Sequence, residues 1–275
     1  MSFEALKARQ RLAWGMGVEG YARHSVPELE PIADRVIELA DPAWESSVID
    51  VACGPGTATM RAAKRVGPGG SVMGVDLAPQ MVAFAERRAQ ADGFTNTTFV
   101  EGDAEVLEGV PDAAFDVAVS NFGVIFAPDA ARMVETVARV LKPGGTFAFS
   151  VWIERGVAIE MSEILTAILP PPAEGATTRD SWGEPDLARE RLAPHFDDIT
   201  WTEVELPVQY ASVDEAWTRM REGRPPFALA YGRMPLEQKQ EVEEQARALF
   251  RKHAGEDGRV RYMRYAGVVR GVRRA

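Results

Sequence analysis

Strand-like and helix-like segments alternate along this 275-residue chain, which predicts an α/β fold with a mostly parallel sheet covered on both faces. Three observations carry that expectation. The first is Val48–Thr59, an apolar run that enters a glycine turn, Gly54-Pro55-Gly56, and continues as a helix. The second is an acid, Asp76, directly behind the apolar run Ser71–Val75 and 22 residues after Gly54. The third is recurrence. Thr97–Glu101, Phe115–Ser120 and Thr146–Trp152 also read as strands, and helices at 57–66, 79–92 and 129–141 lie among the five.

The flanking elements follow in order. Residues 1–45 are mostly helical by pattern, with Leu6, Leu12, Ile32, Val36 and Leu39 as expected buried positions. The stretch Gly15-Met16-Gly17-Val18-Glu19-Gly20 interrupts them and reads as a mobile loop. Gly67, Gly93 and Gly144 stand just beyond the three central helices, where a left-handed terminating residue belongs. After Trp152 the pattern gives a helix over 157–169 ended by Pro170-Pro171-Pro172, then a helix over 185–194. A strand at Ile199–Glu205, helices at 213–223 and 235–253, and a last strand at about 262–273 complete the chain. The expected organisation is one domain with three parts: an N-terminal helical lid (1–45), a ligand-binding core (46–152), and an insertion with C-terminal strands that complete the sheet (153–275).

Composition narrows the class. A net charge of −10 argues against a nucleic-acid surface, because phosphate binding needs clustered Lys and Arg. Hydrophobic residues at 46% and charged residues at 26% suit a globular core. The single cysteine excludes an internal disulfide and fits a reducing compartment. No apolar stretch of 18 residues and no signal-peptide core follow Met1, so a cytoplasmic protein without a membrane partner is expected. Monomer and homodimer both stay open.

The chemistry starts at the turn. Gly54 and Gly56 let backbone approach a ligand where a side chain would stand in the way. An acid at the end of the second strand can accept hydrogen bonds from both hydroxyls of a ribose, which points to an adenosine-containing cofactor. Asp76 can equally cap the following helix, whose first turn Pro79 suits. The dinucleotide fingerprint asks for a third glycine where Thr59 stands, which disfavours a nicotinamide dehydrogenase. With Gly102-Asp103-Ala104, Ser120 and the turn Lys142-Pro143-Gly144-Gly145 in the same order, the chain resembles the class I S-adenosylmethionine-dependent methyltransferases. It is similar to their small-molecule branch, the ubiquinone/menaquinone methyltransferases, over about residues 14–152.

The resemblance implies a Rossmann-like seven-stranded sheet, with an N-terminal helical lid and an insertion after strand five. It implies S-adenosylmethionine as cofactor and no metal. By the same resemblance Asp76 binds the ribose, Asp103 meets the adenine amino group, and Ala104 offers its N–H to the ring. Leu77 and Met81 wall the adenine slot, unless they are plain core. Backbone of Ala52, Gly54 and Ser120 holds the methionine end, Gly56 is a cofactor-binding residue of the same turn, and Asp50 orients the glycine loop or meets the cofactor ammonium.

The acceptor is expected beyond the carboxyl ends of the strands, near Ser120–Phe122, under covers from the N-terminal segment and residues 153–235. Those covers carry Trp14, Tyr21, His24, Trp182, Trp217, Phe227 and Tyr231, which either face a fairly apolar small molecule or form the lid's own core. Arg219, Arg221, Arg224 and Arg233 read as a solvated face, or as a site for an anionic acceptor. His24 is the candidate base, since imidazole titrates near neutrality, and Tyr21 the candidate tyrosine over the methionine end. The expected reaction is methyl transfer to O, N or C of a small metabolite. The alternative is a cyclisation or rearrangement by a cofactor-binding relative. The absence of an Asn/Asp-Pro-Pro-Tyr run where Ser120-Asn121-Phe122-Gly123 stands disfavours protein and RNA substrates.

Overall fold

The computed structural model describes residues 1–169 and 171–275, so Pro170 of the expected helix-ending prolines lies outside the described residues. Seven strands form one sheet: β1 (Ser47–Val51), β2 (Ser71–Asp76), β3 (Thr97–Glu101), β4 (Phe115–Ser120), β5 (Leu141–Ile153), β6 (Phe196–Tyr210) and β7 (Val260–Arg273). Their order is β3-β2-β1-β4-β5-β7-β6. The first five pair in parallel, and β7 runs antiparallel between β5 and β6. β1 and β4 are buried almost throughout, because helices cover both faces of a parallel sheet and such strands become continuous apolar runs. The outer end of β6 alternates instead: Leu206, Val208 and Tyr210 are buried, while Glu205, Pro207 and Gln209 face water. Strand order reverses at β1/β4, and the loops leaving those two strands diverge to open a crevice.

The core helices lie where the pattern put them, at α4 (Thr57–Val66), α5 (Pro79–Ala91) and α6 (Ala130–Val140). The N-terminal region departs from expectation. It forms α1 (Phe3–Met16), α2 (Val18–His24) and α3 (Val26–Ala40), with only Gly17 and Ser25 between them, so Gly15–Gly20 is not a loop. Its glycines serve close packing. A Cβ on Gly20 would stand 2.3 Å from the Glu222 carbonyl oxygen, and one on Gly17 would stand 2.6 Å from Pro225 Cβ. Ile32 and Val36 are buried as expected, but Leu12 is 44% exposed and Leu6 and Leu39 are half-buried.

The insertion contributes α7 (Val157–Ile168), α8 (Pro185–Leu192), α9 (Val213–Glu222), α10 (Pro225–Gly232) and α11 (Leu236–Lys252). α10 escaped the sequence reading because Pro225-Pro226 looks like a breaker, whereas proline fits the first turn of a helix. Trp217, Phe227, Tyr210 and Phe250 build a second hydrophobic core here, apart from the main core along the sheet. Among the described residues no helix is long and apolar enough to cross a membrane.

Candidate active site

The chain leaves β1 through Ala52-Cys53-Gly54-Pro55-Gly56 and enters α4. Ala52, Gly54 and Gly56 all have positive φ, at 54°, 54° and 79°. The two glycines do different work. A Cβ on Gly54 would meet nothing within 4 Å, so this backbone stands bare toward open space. A Cβ on Gly56 would press Met60 and Ala85 at 3.1 and 3.2 Å, so Gly56 serves the turn and its packing and does not line the cavity.

Asp76 closes the other side. Its Oδ2 accepts the Gly54 N–H at 2.8 Å and its Oδ1 accepts the Ala78 N–H at 2.9 Å, tying the glycine turn to the start of α5. Burial pushes this carboxyl up to about 6, and the two N–H donors oppose that shift. Capping is therefore real, and the remaining lone pairs still border the cavity.

Asp50 lies behind the turn, fully buried and off the cavity wall. Its Oδ2 accepts the Thr59 hydroxyl at 2.6 Å, and its Oδ1 has no partner among the described residues. Thr59 thus has a reason to replace the fingerprint's third glycine. Burial above all, then the charge of Asp76, raises Asp50 to about 7 against the Thr59 hydrogen bonds.

At the far end, Asp103 accepts the Glu105 N–H at 2.9 Å and the Lys7 ammonium at 2.8 Å. Lys7 also reaches Glu105 at 3.1 Å and Glu4 at 2.9 Å. Burial works against its charge, but these hydrogen bonds hold it well above the usual lysine range. Lys7 pins α1 over this end, a contact the sequence reading missed because the partners are 96 residues apart. Ala104, Leu77 and Met81 line the same cavity as Asp103, Ala52 and Gly54, a space of about 910 Å³. Ser120 does not reach it; its buried hydroxyl accepts the Val124 N–H at 3.1 Å and shapes the Asn121–Gly123 turn, which does reach it.

A second cavity of about 1400 Å³ adjoins the first. Trp14, Tyr21, Leu29, Phe122 and Phe126 line both and form the wall between them. Burial, then the charge of Asp76, pushes the Tyr21 phenol far up, so it stays protonated. His24 borders neither cavity: its Nε2 faces Glu222 Oε2 at 3.2 Å, so the structure does not bring the expected base to the site. Trp182 and Trp217 are buried in the two cores and Tyr231 also lies off the second cavity, so of the expected lid aromatics only Trp14, Tyr21 and Phe227 face it. Of the aromatics that sequence reading missed, Trp152 comes from β5, Tyr262 and Tyr265 come from β7, and Phe126 follows the turn after β4.

Comparison with known proteins gives the family. Residues 48–145 match the family model described as a methyltransferase domain. Over 150 residues the chain is 32% identical to aklanonic acid methyltransferase DauC of Streptomyces sp. (strain C5), covering 54% of this chain and 68% of that protein. The chain belongs to the class I S-adenosylmethionine-dependent methyltransferases. This methyltransferase is also 31% identical over 153 residues to the nocamycin O-methyltransferase of Saccharothrix syringae, 56% of this chain but only 49% of that one. The YcgJ protein of Bacillus subtilis shares its fold, with a TM-score of 0.59 at 21% identity over 90% of this chain and 98% of that one. The residues present fit the family's cofactor. Bare backbone at Gly54, an acid at the β2 end and apolar walls at Leu77 and Met81 surround one cavity.

Proposed function

We propose that this methyltransferase alkylates an oxygen of a bulky, largely apolar small molecule of secondary metabolism. One observation carries the reading: a cavity bordered by the glycine turn, Asp76 and Asp103 and a larger aromatic one meet at a single wall, built by Trp14, Tyr21, Leu29, Phe122 and Phe126. The choice of oxygen leans on the two named relatives, one an O-methyltransferase and the other a methyltransferase of an acid.

When bound, S-adenosylmethionine supplies an electrophilic sulfonium methyl. The chain's residues hold and align it. Asp76 takes the ribose hydroxyls, and Leu77 and Met81 flank the adenine, whose edge meets Asp103 and the Ala104 N–H. Ala52 and Gly54 receive the methionine part. Asp50, Gly56 and Ser120 act from behind as positioning residues. Tyr21, a neutral phenol, donates from the shared wall rather than accepting a proton. Residues 1–45 and the insertion of 153–275 cover the core of 46–152 and exclude water. Alignment of this kind is worth roughly 7–11 kcal/mol in well-oriented systems.

No base is needed if the acceptor oxygen is already acidic, and the acids in the second cavity are paired with Arg179 beside them. Asp180 accepts from Arg179 at 2.6 Å, and Glu154 lies 3.8 Å from the same guanidinium. A phenol, enol or carboxylic acid therefore suits the site better than an aliphatic alcohol. The test is incubation with methyl-labelled S-adenosylmethionine and a panel of phenolic and carboxylic polycycles. Label in an ether or ester, with one S-adenosylhomocysteine per product, is expected. An isomerised product without S-adenosylhomocysteine would instead establish cyclisation or rearrangement.

A further inference from the structure

The second cavity holds two arginines whose charges the protein leaves nearly uncompensated. Arg264, on β7, is stacked over the Trp152 indole with its guanidinium carbon 3.7 Å from the ring centroid. It makes no side-chain hydrogen bond among the described residues, and the nearest carboxylate oxygen, Glu28 Oε2, is 4.0 Å away. That carboxylate also serves Arg219 at 3.4 Å. Arg224, the residue that precedes α10, has neither a side-chain hydrogen bond nor an ion pair among the described residues. Both border the cavity, and Arg264 is only 17% exposed. Burial first, then the neighbouring charge of Arg224, pulls Arg264 down to about 10. Two cations that border one poorly solvated space oppose each other, so a site that keeps them needs an anion to reward the arrangement. The other cation of the cavity differs, since Arg179 is matched by Asp180 and Glu154.

We infer that Arg224 and Arg264 anchor a carboxylate carried by the acceptor. This rests on the reading of the second cavity as the acceptor site and names the acceptor's charge. Arg264 sits over an aromatic face and makes no side-chain hydrogen bond among the described residues, so its guanidinium N–H groups stay available to a two-oxygen partner. The rest of the lining is apolar, with Val157, Met161, Leu165 and Phe227, and suits a hydrophobic body carrying one charged end.

Position makes the carboxylate a handle. Trp152 is stacked on Phe122 at 3.9 Å and 13° between planes. Phe122 and Arg264 both centre within 4 Å of this indole, so they occupy opposite faces. Phe122 belongs to the wall shared with the first cavity, and the Arg264 charge also acts on Tyr21 of that wall, so the arginine holds the acceptor from the second-cavity side.

The experiment uses the whole protein and a matched probe pair, 6-hydroxy-2-naphthoate and its uncharged carboxamide. S-adenosylhomocysteine is titrated first by calorimetry, and each probe is then titrated into the saturated protein. Tighter binding of the carboxylate by at least tenfold is expected. Arg264→Gln and Arg224→Gln should each reduce that preference severalfold, and the double variant should erase it, with S-adenosylhomocysteine affinity retained as the sign of an intact fold. If Arg264→Gln does not fold, Arg224→Gln, at a helix start outside the sheet, decides alone. Equal or tighter binding of the carboxamide, no binding of either probe, or a preference unmoved in the folded variants would overturn the inference. Absence of S-adenosylhomocysteine binding would count against the reading of the first cavity, and is measured before any probe is added.

Discussion

Replacing Asp76 by Ala tests the centre of the cofactor reading. In the structure its carboxylate accepts the Gly54 N–H at 2.8 Å and the Ala78 N–H at 2.9 Å, and its free lone pairs border the cavity. A hydrogen bond to a charged group is worth about 1.5–3 kcal/mol, and every 1.4 kcal/mol is about tenfold in affinity. Loss of two ribose hydroxyl contacts, partly offset by water entering the vacated space, should weaken S-adenosylhomocysteine about 100-fold. Calorimetry reads that loss, and circular dichroism shows whether the fold persists. The protonation state gives a second readout. Burial raises this carboxyl from 3.8 to about 6, so the ionised acceptor is lost as pH falls through that value. Affinity should therefore decline below about pH 6 in the wild type, and this step should be missing from the Asp76→Asn profile. Wild-type affinity in a folded Asp76→Ala protein would reduce the residue to a helix cap and refute the assignment.

Three further outcomes follow from particular contacts. The Asp50 carboxyl is raised to about 7, so the folded chain holds its proton across pH 4–7, and this contribution to stability, complete below about pH 4, is lost as pH rises through 7. Asp50→Asn, which cannot ionise, should gain thermal stability relative to wild type between pH 5 and 8; a difference independent of pH would contradict the burial argument. Gly20→Ala places a Cβ 2.3 Å from a backbone oxygen of α9 and should cost about 1–3 kcal/mol by thermal or urea unfolding, whereas Gly15→Ala meets only the movable tip of Gln80 and should cost far less. Equal costs would show that the helices simply shift apart. His24→Gln removes one contact with Glu222 outside both cavities, so kcat should stay within about threefold; a loss of about 100-fold would restore His24 as the base.

The sheet was legible in the sequence because burial on both faces turns parallel strands into uninterrupted apolar runs, and the glycine turn and strand-end acid sit at fixed places on that frame. The antiparallel insertion of β7 between β5 and β6 was not legible, since strand order depends on how the chain returns and not on the pattern within the strand. Gly15–Gly20 misled for a physical reason: glycine is equally the residue of a flexible turn and of two backbones packed too closely for a Cβ. Lys7 and Arg264 had no local signature at all. Each acquires its role from residues far away in the chain, Asp103 in one case and Trp152 in the other. His24 was singled out for the titration of its imidazole, a property that says nothing of where the ring points.

The N-terminal helices are joined both to the insertion and to the core. The Ser25 hydroxyl donates to the Gly223 carbonyl at 2.6 Å, His24 meets Glu222, and Arg219 donates to the His24 carbonyl at 3.3 Å, so the N-terminal helices are stitched to α9 and the start of α10. On the other side α1 is tied to the core through Lys7 and through Gln10, whose side chain donates to the Phe126 carbonyl at 2.9 Å. Trp14 and Tyr21 stand between these two sets of bonds and supply part of the wall that both cavities share. Trp14 comes from α1 and Tyr21 from α2, so a substitution that shifts either helix would alter the shared wall on both sides at once, and its effect should be read in both cavities.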